Sequence, residues 1–597
     1  MQKSTYSDTW DLDVIFEGGS HSDEFESYLH TIQSFLTDLE TSVTMLHLTD
    51  STAHQGLNQV VELVAKVSKK LQQAGSYINC LQAQDTTDKH ANLLRSRFTK
   101  LRSTFSTMMI EFDQKLVETE ESVWNELFED DDLQQLHFVL NEKREDSKER
   151  LSLEKESLIQ GLSVDGYSGW GQLYDLLVAK IKIPFELDGV LNELSVGQAF
   201  NKFSSADRNV RKSVFEKWED AWEEQADVFS ETLNHLGGFR LAVYKERGWE
   251  EVLKEPLRIN RMKKETLDMM WQVISENKQP LVNYLNRKAK LLGLEKMSWY
   301  DLDAPIVKTD SKVTYQDGSD FIVDQFSQFG SELTSFTKKA FEESWIEAED
   351  RAGKAPGGFC TSFPESVESR IFMTFSGTPS NVSTLAHELG HAFHQHVMQG
   401  VHPLNSRYAM NVAETASTFA ETIVADAAVK NAKNEAERLA LLEDKLQRSV
   451  ALLMNIHARF IFENGFYEER KEGFVSADRL NELMENAQKE AYCQSLESYH
   501  PSFWSSKLHF YITGTPFYNF PYTFGFLFSL GIYAKALEEG TAFEEHYIAL
   551  LRDTGSMSVE DLAEKHLGVD LTQKDFWEKA VKLAVSDVEE FLELTEE

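Results

Sequence analysis

Apolar residues recur at three- and four-residue intervals along much of the chain. Leu57, Val60, Val64, Val67, Leu71 and Ala74 draw one stripe down a helix face, and such patterning predicts a mainly α-helical protein. Only 11 prolines interrupt 597 residues, which leaves room for long helices. The most apolar stretch, Gly525 to Leu537, carries Tyr533 and Lys535 and is too short to cross a bilayer, so it predicts a buried helix. The acidic run Glu129-Asp130-Asp131-Asp132 predicts a solvated turn or helix end. Three segments depart from the pattern. Ser163 to Gly171 (SVDGYSGWG) is rich in Gly and predicts a turn, since it lacks the Lys-Ser/Thr of a phosphate loop. Tyr300 to Gly318 is open between loop and short strand. Gly357 to Pro379 reads as extended, with a strand at Arg370 to Phe375 ended by Gly377-Thr378-Pro379.

Length and composition narrow the class. A chain of 597 residues exceeds one small core and predicts several lobes or domains. Hydrophobic residues make up 41%, as in ordinary folded proteins. The formal net charge of −38 argues against a nucleic-acid binder and against docking on acidic membranes. Cys80, Cys360 and Cys493 are few, odd in number and far apart. That pattern predicts neither a disulfide framework nor a cysteine metal site, and it suits a reducing cytoplasm. The first residues, MQKSTYSDTWDLDVIF, contain no signal-peptide core.

The chemistry concentrates after Pro379. The run to Gln399 contains no further proline, with Ser380 or Asn381 as the expected cap and Gly400 as the stop. His387-Glu388-Leu389-Gly390-His391 therefore lies on a helix, where residues four apart share one face. Two imidazoles can reach one ion, and Glu388 points beside it. Leu385, Ala386, Leu389, Ala392 and Phe393 are apolar, so this turn is buried; unpartnered histidines and a glutamate would be costly there, and a zinc ion removes that cost.

A third protein ligand must come from elsewhere. The metzincin pattern needs Gly and His where this chain has His394 and Val397, and the shorter glutamate spacings fall near Met410 and Asn411. The next carboxylates are Glu414 and Glu421. With Thr418 they share one face of a predicted helix over Asn411 to Lys430, so one acid can bind the metal while another orients a histidine. Asp426 lies off that face and is read as solvated. Further on, His509 to Phe526 (HFYITGTPFYNFPYTFGF) is dense in aromatics. It is either packed core or, with His509, Tyr511, Tyr518 and Tyr522, a set of donors for the charge that builds during amide hydrolysis.

These pieces together resemble the M3 family of metallopeptidases, above all its oligoendopeptidase F branch. The resemblance rests on TLAHELGHAFH at 384–394, AETASTFAE at 413–421, the aromatic block from His509 to Tyr522, and SVDGYSGWGQLYD. It covers nearly the whole chain. It implies a mainly helical, multi-lobed zincin-like fold, with a small β element beside the zinc helix and a deep substrate channel. It implies a helical region over 1–115, an oligoendopeptidase F-type N-terminal domain over 116–190 and a catalytic domain over 191–597. It implies one Zn²⁺ on His387, His391 and Glu414, with Glu388 as catalytic base and Glu421 in support. His509, Tyr518 and Tyr522 become transition-state donors. Gly357, Gly358, Phe359 and Tyr511 become substrate contacts, with the peptide added at a strand edge. The expected activity is cleavage of internal bonds in short peptides. A zinc carboxypeptidase of related fold and a peptide binder with a structural zinc are the other readings, and the oligomeric state stays open.

Overall fold

A computed structural model describes residues 6–596 apart from 51–52, 188 and 308–311. The start of the polar N-terminal stretch and part of the Tyr300–Gly318 segment thus lie outside the described residues. Among the described residues the chain is mainly helical, with five short strands. Two apolar cores organise it. The first gathers side chains from Trp10 to Leu140, including the whole Leu57–Ala74 stripe of helix His54–Gln84. The second runs from Tyr174 to Phe591.

The strands are β1 (Ile183–Leu187), β2 (Val190–Leu194), β3 (Ile346–Glu347), β4 (Phe359–Phe363) and β5 (Glu368–Phe372). Strands β1 and β2 form an antiparallel pair. The other three form a sheet in the order β3-β5-β4, with β4 antiparallel to β5 and at the edge. Side chains of a strand alternate between faces. Phe372 accordingly enters the first core while Ile371 and Met373 enter the second, so this sheet stands where the two lobes meet.

Several local expectations change. The motif helix spans Pro379–Val397 and is capped by Thr378, not by Ser380 or Asn381. Proline at the first helical position has no N–H to bond, which moves the cap one residue earlier. Asn381 then completes a capping box from the third position. Gly400 lies beyond the end with φ +83°. The SVDGYSGWG segment is not a turn. Val164–Ser168 is a wide π-helical turn joining helices Leu153–Ser163 and Gly169–Lys180. Its aromatics anchor it, Tyr167 stacking on Phe239 and Trp170 on His235. The strand expected at Arg370 to Phe375 starts and ends earlier. Tyr300 lies in a short 3₁₀ turn, and a helix capped by Thr314 begins at Tyr315; no described residue between them is in a strand. Asp130 caps a helix, as the acidic run suggested. The apolar stretch near Gly525 forms the buried helix Phe520–Glu539, and no helix among the described residues is long and apolar enough to cross a membrane.

Candidate metal centre and active site

The motif helix packs against the carboxylate helix Met410–Lys430, which in turn packs against the aromatic helix Phe520–Glu539. Two glycines allow the approach. A Cβ on Gly390 would stand 2.4 Å from the Ala416 carbonyl oxygen, and one on Gly525 would stand 2.9 Å from both the Asn411 oxygen and Glu414 Cβ. Real Cβ contacts are longer, so only glycine admits backbones this close.

The approach sets Glu414 Oε2 3.4 Å from His387 Nε2 and 3.6 Å from His391 Nε2. Four-coordinate zinc with N and O donors at ~2.1 Å needs ligand atoms about 3.4 Å apart. The remaining polar atoms of these side chains are engaged. His387 Nδ1 faces Glu421 Oε2 at 3.0 Å, and His391 hydrogen-bonds the Ala413 backbone. Each imidazole thereby keeps its Nε2 lone pair for an ion. Ser417 donates to Glu414 Oε2 at 2.9 Å, and Arg448 is ion-paired with Glu421. Burial lowers the pKa of His387 and pushes that of His391 down to about 4, so neutral rings are favoured despite the nearby carboxylates.

Glu388 is 8% exposed, and its Oε2 is buried without a hydrogen-bond partner. Burial pushes its carboxyl up to about 7; His387 opposes that rise and the like charge of Glu414 adds to it. An orphaned, proton-ready carboxylate beside three converging donor atoms suits water activation. The donor set, two imidazoles and one carboxylate, fits Zn²⁺ and leaves a coordination position for water or substrate. Gly358 at the mouth of β4 sits nearby, since a Cβ there would lie 3.7 Å from Glu388 Oε1. Gly357 has φ +90°, a conformation that favours glycine, and Phe359 turns its ring onto Phe372, leaving only its backbone on the strand edge.

His509, Tyr518 and Tyr522 come together, with ring centroids 5.2 Å, 5.9 Å and 6.4 Å apart. Burial, the Tyr518 hydroxyl and the Glu414 charge hold the Tyr522 phenol protonated, above its usual range. That places Tyr522 on the Glu414 side of the group. His509 Nδ1 lies 2.7 Å from Asn519 Oδ1, which needs the proton on Nδ1 and leaves Nε2 as an acceptor. Tyr511 does not join them. It is 1% exposed and stacks on Tyr174 at 3.8 Å inside the second core, because the residues before the aromatic helix turn that ring inward. Asp426 is also away from the histidines, as its helical position predicted. It is not simply solvated, for it pairs with Lys445 and accepts from the Tyr533 hydroxyl at 2.9 Å.

The family model for Peptidase family M3 matches residues 203–583, and that for Oligopeptidase F matches residues 115–183. The chain belongs to peptidase family M3. Among M3 relatives, it is 24% identical to an oligoendopeptidase F homolog of Lactococcus lactis subsp. lactis, over 98% of this chain and 97% of that one. It is likewise 24% identical to oligopeptidase PepF of Bacillus subtilis, over 98% of this chain and 87% of that one. Its fold is similar to the crystal structure of oligoendopeptidase-F from Enterococcus faecium, with TM-score 0.68, 20% identity and coverage of 96% and 98%.

Some M3 site residues escaped the sequence reading. Gly390 carried a signal, being an isolated glycine inside a strong helix. Ser417 stands one turn from Glu414 and could have been named from spacing alone. Arg448 and Asn519 carried none, since what they touch depends on how distant elements pack.

Proposed function

We propose that this M3 chain is a zinc endopeptidase that cleaves internal bonds of short, unfolded peptides. The observation that carries the reading is the convergence of His387, His391 and Glu414 on one point, with the unpartnered Glu388 carboxylate beside it. A structural zinc would close all four positions with protein ligands; three ligands and a free base suit catalysis. A divalent ion held there supplies Lewis acidity, acidifying a water and polarising a carbonyl.

The chain's own groups do the rest. Glu388 accepts a proton from the attacking water and delivers it to the leaving amine. Tyr522, with Tyr518 behind it, donates a hydrogen bond where the carbonyl oxygen becomes negative. His509 Nε2, an acceptor in its resting tautomer, orients a peptide N–H or a tyrosine hydroxyl. The edge of β4 at Gly358 accepts the substrate backbone as an added strand. A narrow substrate channel, as the M3 resemblance implies, would exclude folded proteins. Three unpaired cysteines suit work in a reducing compartment.

The test is digestion of a mixed peptide pool, with and without a chelator, read by mass spectrometry. Peptides capped at both ends are included, together with a folded protein. Cleavage of capped peptides that stops with chelator and returns with Zn²⁺ is the expected result. Removal of terminal residues alone would mark an exopeptidase instead, and stoichiometric zinc with no hydrolysis would mark a binder.

A further inference from the structure

Many buried and half-buried arginines and lysines of this acidic chain pair with a carboxylate, as Arg211 does with Asp301, Lys288 with Glu443 and Lys445 with Asp426. Two beside the donor group do not. Among the described residues Arg459 donates hydrogen bonds only to neutral amides, Asn455 Oδ1 at 2.8 Å and Asn519 Oδ1 at 2.9 Å, and it stands 3.1 Å from the His509 Nδ1–H. Lys507 makes no ion pair among the described residues. Its ammonium lies 5.3 Å from the Phe503 centroid and 5.6 Å from that of Phe200. The Arg459 guanidinium is 5.3 Å from the same Phe503 ring, so both cations stand against one aromatic side chain. Asp303 acts on Lys507 only from a distance.

Placing like charges together in a half-buried site is unfavourable. The strain is visible in both groups. Burial and the neighbouring Arg459 push Lys507 down to about 7, and burial pushes Arg459 down to about 10. An anion between them would relieve both. Their neighbours say where it would sit. Arg459 touches His509 and feels the Tyr522 hydroxyl, while Tyr522 feels Glu414. The cations therefore border the space occupied by a peptide whose scissile bond lies at the metal centre. A chain of net charge −38 repels anionic peptides at long range, so a local cationic site is what would hold them.

We propose that Lys507 and Arg459 form a carboxylate-recognition subsite beside the His509–Tyr522 donors, selecting peptides that present a carboxylate on that side of the scissile bond. The carboxylate comes either from the peptide's C-terminus or from an Asp or Glu side chain. This rests on the peptidase reading, and it makes the M3 chain selective for charge as well as for length.

The experiment uses the full metal-loaded chain and fluorescent peptides in matched pairs. One pair differs only as C-terminal acid or amide. A second set, amidated throughout, exchanges Glu for Gln at each position in turn. Kd by anisotropy and the KM of cleavage are read for wild type, K507M and K507R. The expected result is preference for the charged member of at least one pair by about tenfold or more. K507M should lose that preference and K507R should keep most of it, with the change carried by KM and Kd. Preference confined to the acid/amide pair assigns the C-terminus, and preference confined to the Glu/Gln set assigns a side chain. Equal affinities within every pair in wild type, or a preference unchanged in K507M, would overturn the subsite. If charged peptides bind preferentially through Lys507 yet nothing is cleaved with zinc present, the endopeptidase reading fails and the subsite stands. Because each comparison is made within one protein sample, loss of folded material in K507M leaves the ratios unaffected.

Discussion

At the scale of single residues, the site separates holding a metal from using it. Under the proposed function Glu388 stands beside a metal ligand without being one, and its unpartnered oxygen suits it to carry the proton. Glu388→Gln should leave zinc content near one ion per chain while kcat falls by at least about a hundredfold, the usual yield of acid–base catalysis. Metal analysis and peptide turnover on the same sample check this, and wild-type rates from a loaded variant would remove Glu388 from its role. Glu421 works through His387, whose Nδ1 it faces at 3.0 Å, and Arg448 holds Glu421 from behind. Glu421→Gln keeps the shape and loses the charge. Zinc affinity, measured by competition with a chromogenic chelator, should weaken by about 10- to 100-fold. Unchanged affinity would make Glu421 a bystander. His387, His391 and Glu388 were legible in the sequence because four-residue helical spacing is a local rule. The support behind them was not, since Arg448, which pairs with Glu421, comes from a different helix.

At the scale of elements, the metal centre is a consequence of close helix packing. Gly390 lets the motif helix touch the backbone of the carboxylate helix, where a Cβ would meet the Ala416 oxygen at 2.4 Å and Ser417 Cα at 2.6 Å. Backbone cannot swing aside as a side chain can. Gly390→Ala should therefore cost about 3 kcal/mol, at the upper end for overpacking, and should also part Glu414 from the histidines. Denaturant unfolding with and without zinc checks it: both stability and the zinc-induced gain should fall. Retained zinc stabilisation would show that the helices can separate without harm to the site. Helix identities were readable from periodicity. The cap at Thr378 was displaced from the expected Ser380 or Asn381 by the missing N–H of Pro379. The SVDGYSGWG segment misled because glycines signal turns, whereas here they are carried within a wide helical turn anchored by Tyr167 and Trp170.

At the scale of the whole molecule, two cores meet at a three-stranded sheet, and titratable groups are sealed inside. His394 is fully buried, bonded at Nε2 to Thr554 Oγ1 at 2.9 Å, and its pKa is pushed down to about 3 by burial. His457, stacked on Trp271 and beside the Lys278 ammonium, is pushed down to about 2 by burial and that charge. Both stay neutral in the folded chain, while the unfolded chain protonates them near 6.5. Stability is therefore full above that value and falls as pH drops from about 6.5 towards 3. At pH 5 each histidine should cost about 2 kcal/mol. Denaturant midpoints at pH 7.5 and pH 5.0 should show the loss, and His457→Asn should reduce the difference between them. An equal difference in the variant would exclude His457 as a source.

The sequence by itself determined the helical class, the pairing of His387 with His391 on one face, the placing of Glu388 beside them, and a carboxylate face bearing Glu414 and Glu421. Backbone periodicity dictates these over a few residues, so no distant contact is needed. Only the tertiary structure decided that Glu414 faces the imidazoles while Glu421 stands behind one of them. It also decided that Tyr511 turns into the core while Tyr518 and Tyr522 face His509, and that Lys507 and Arg459 stand against one phenylalanine with no ion pair among the described residues. Those outcomes depend on which helices and loops pack together across hundreds of residues, and local spacing carries no record of that.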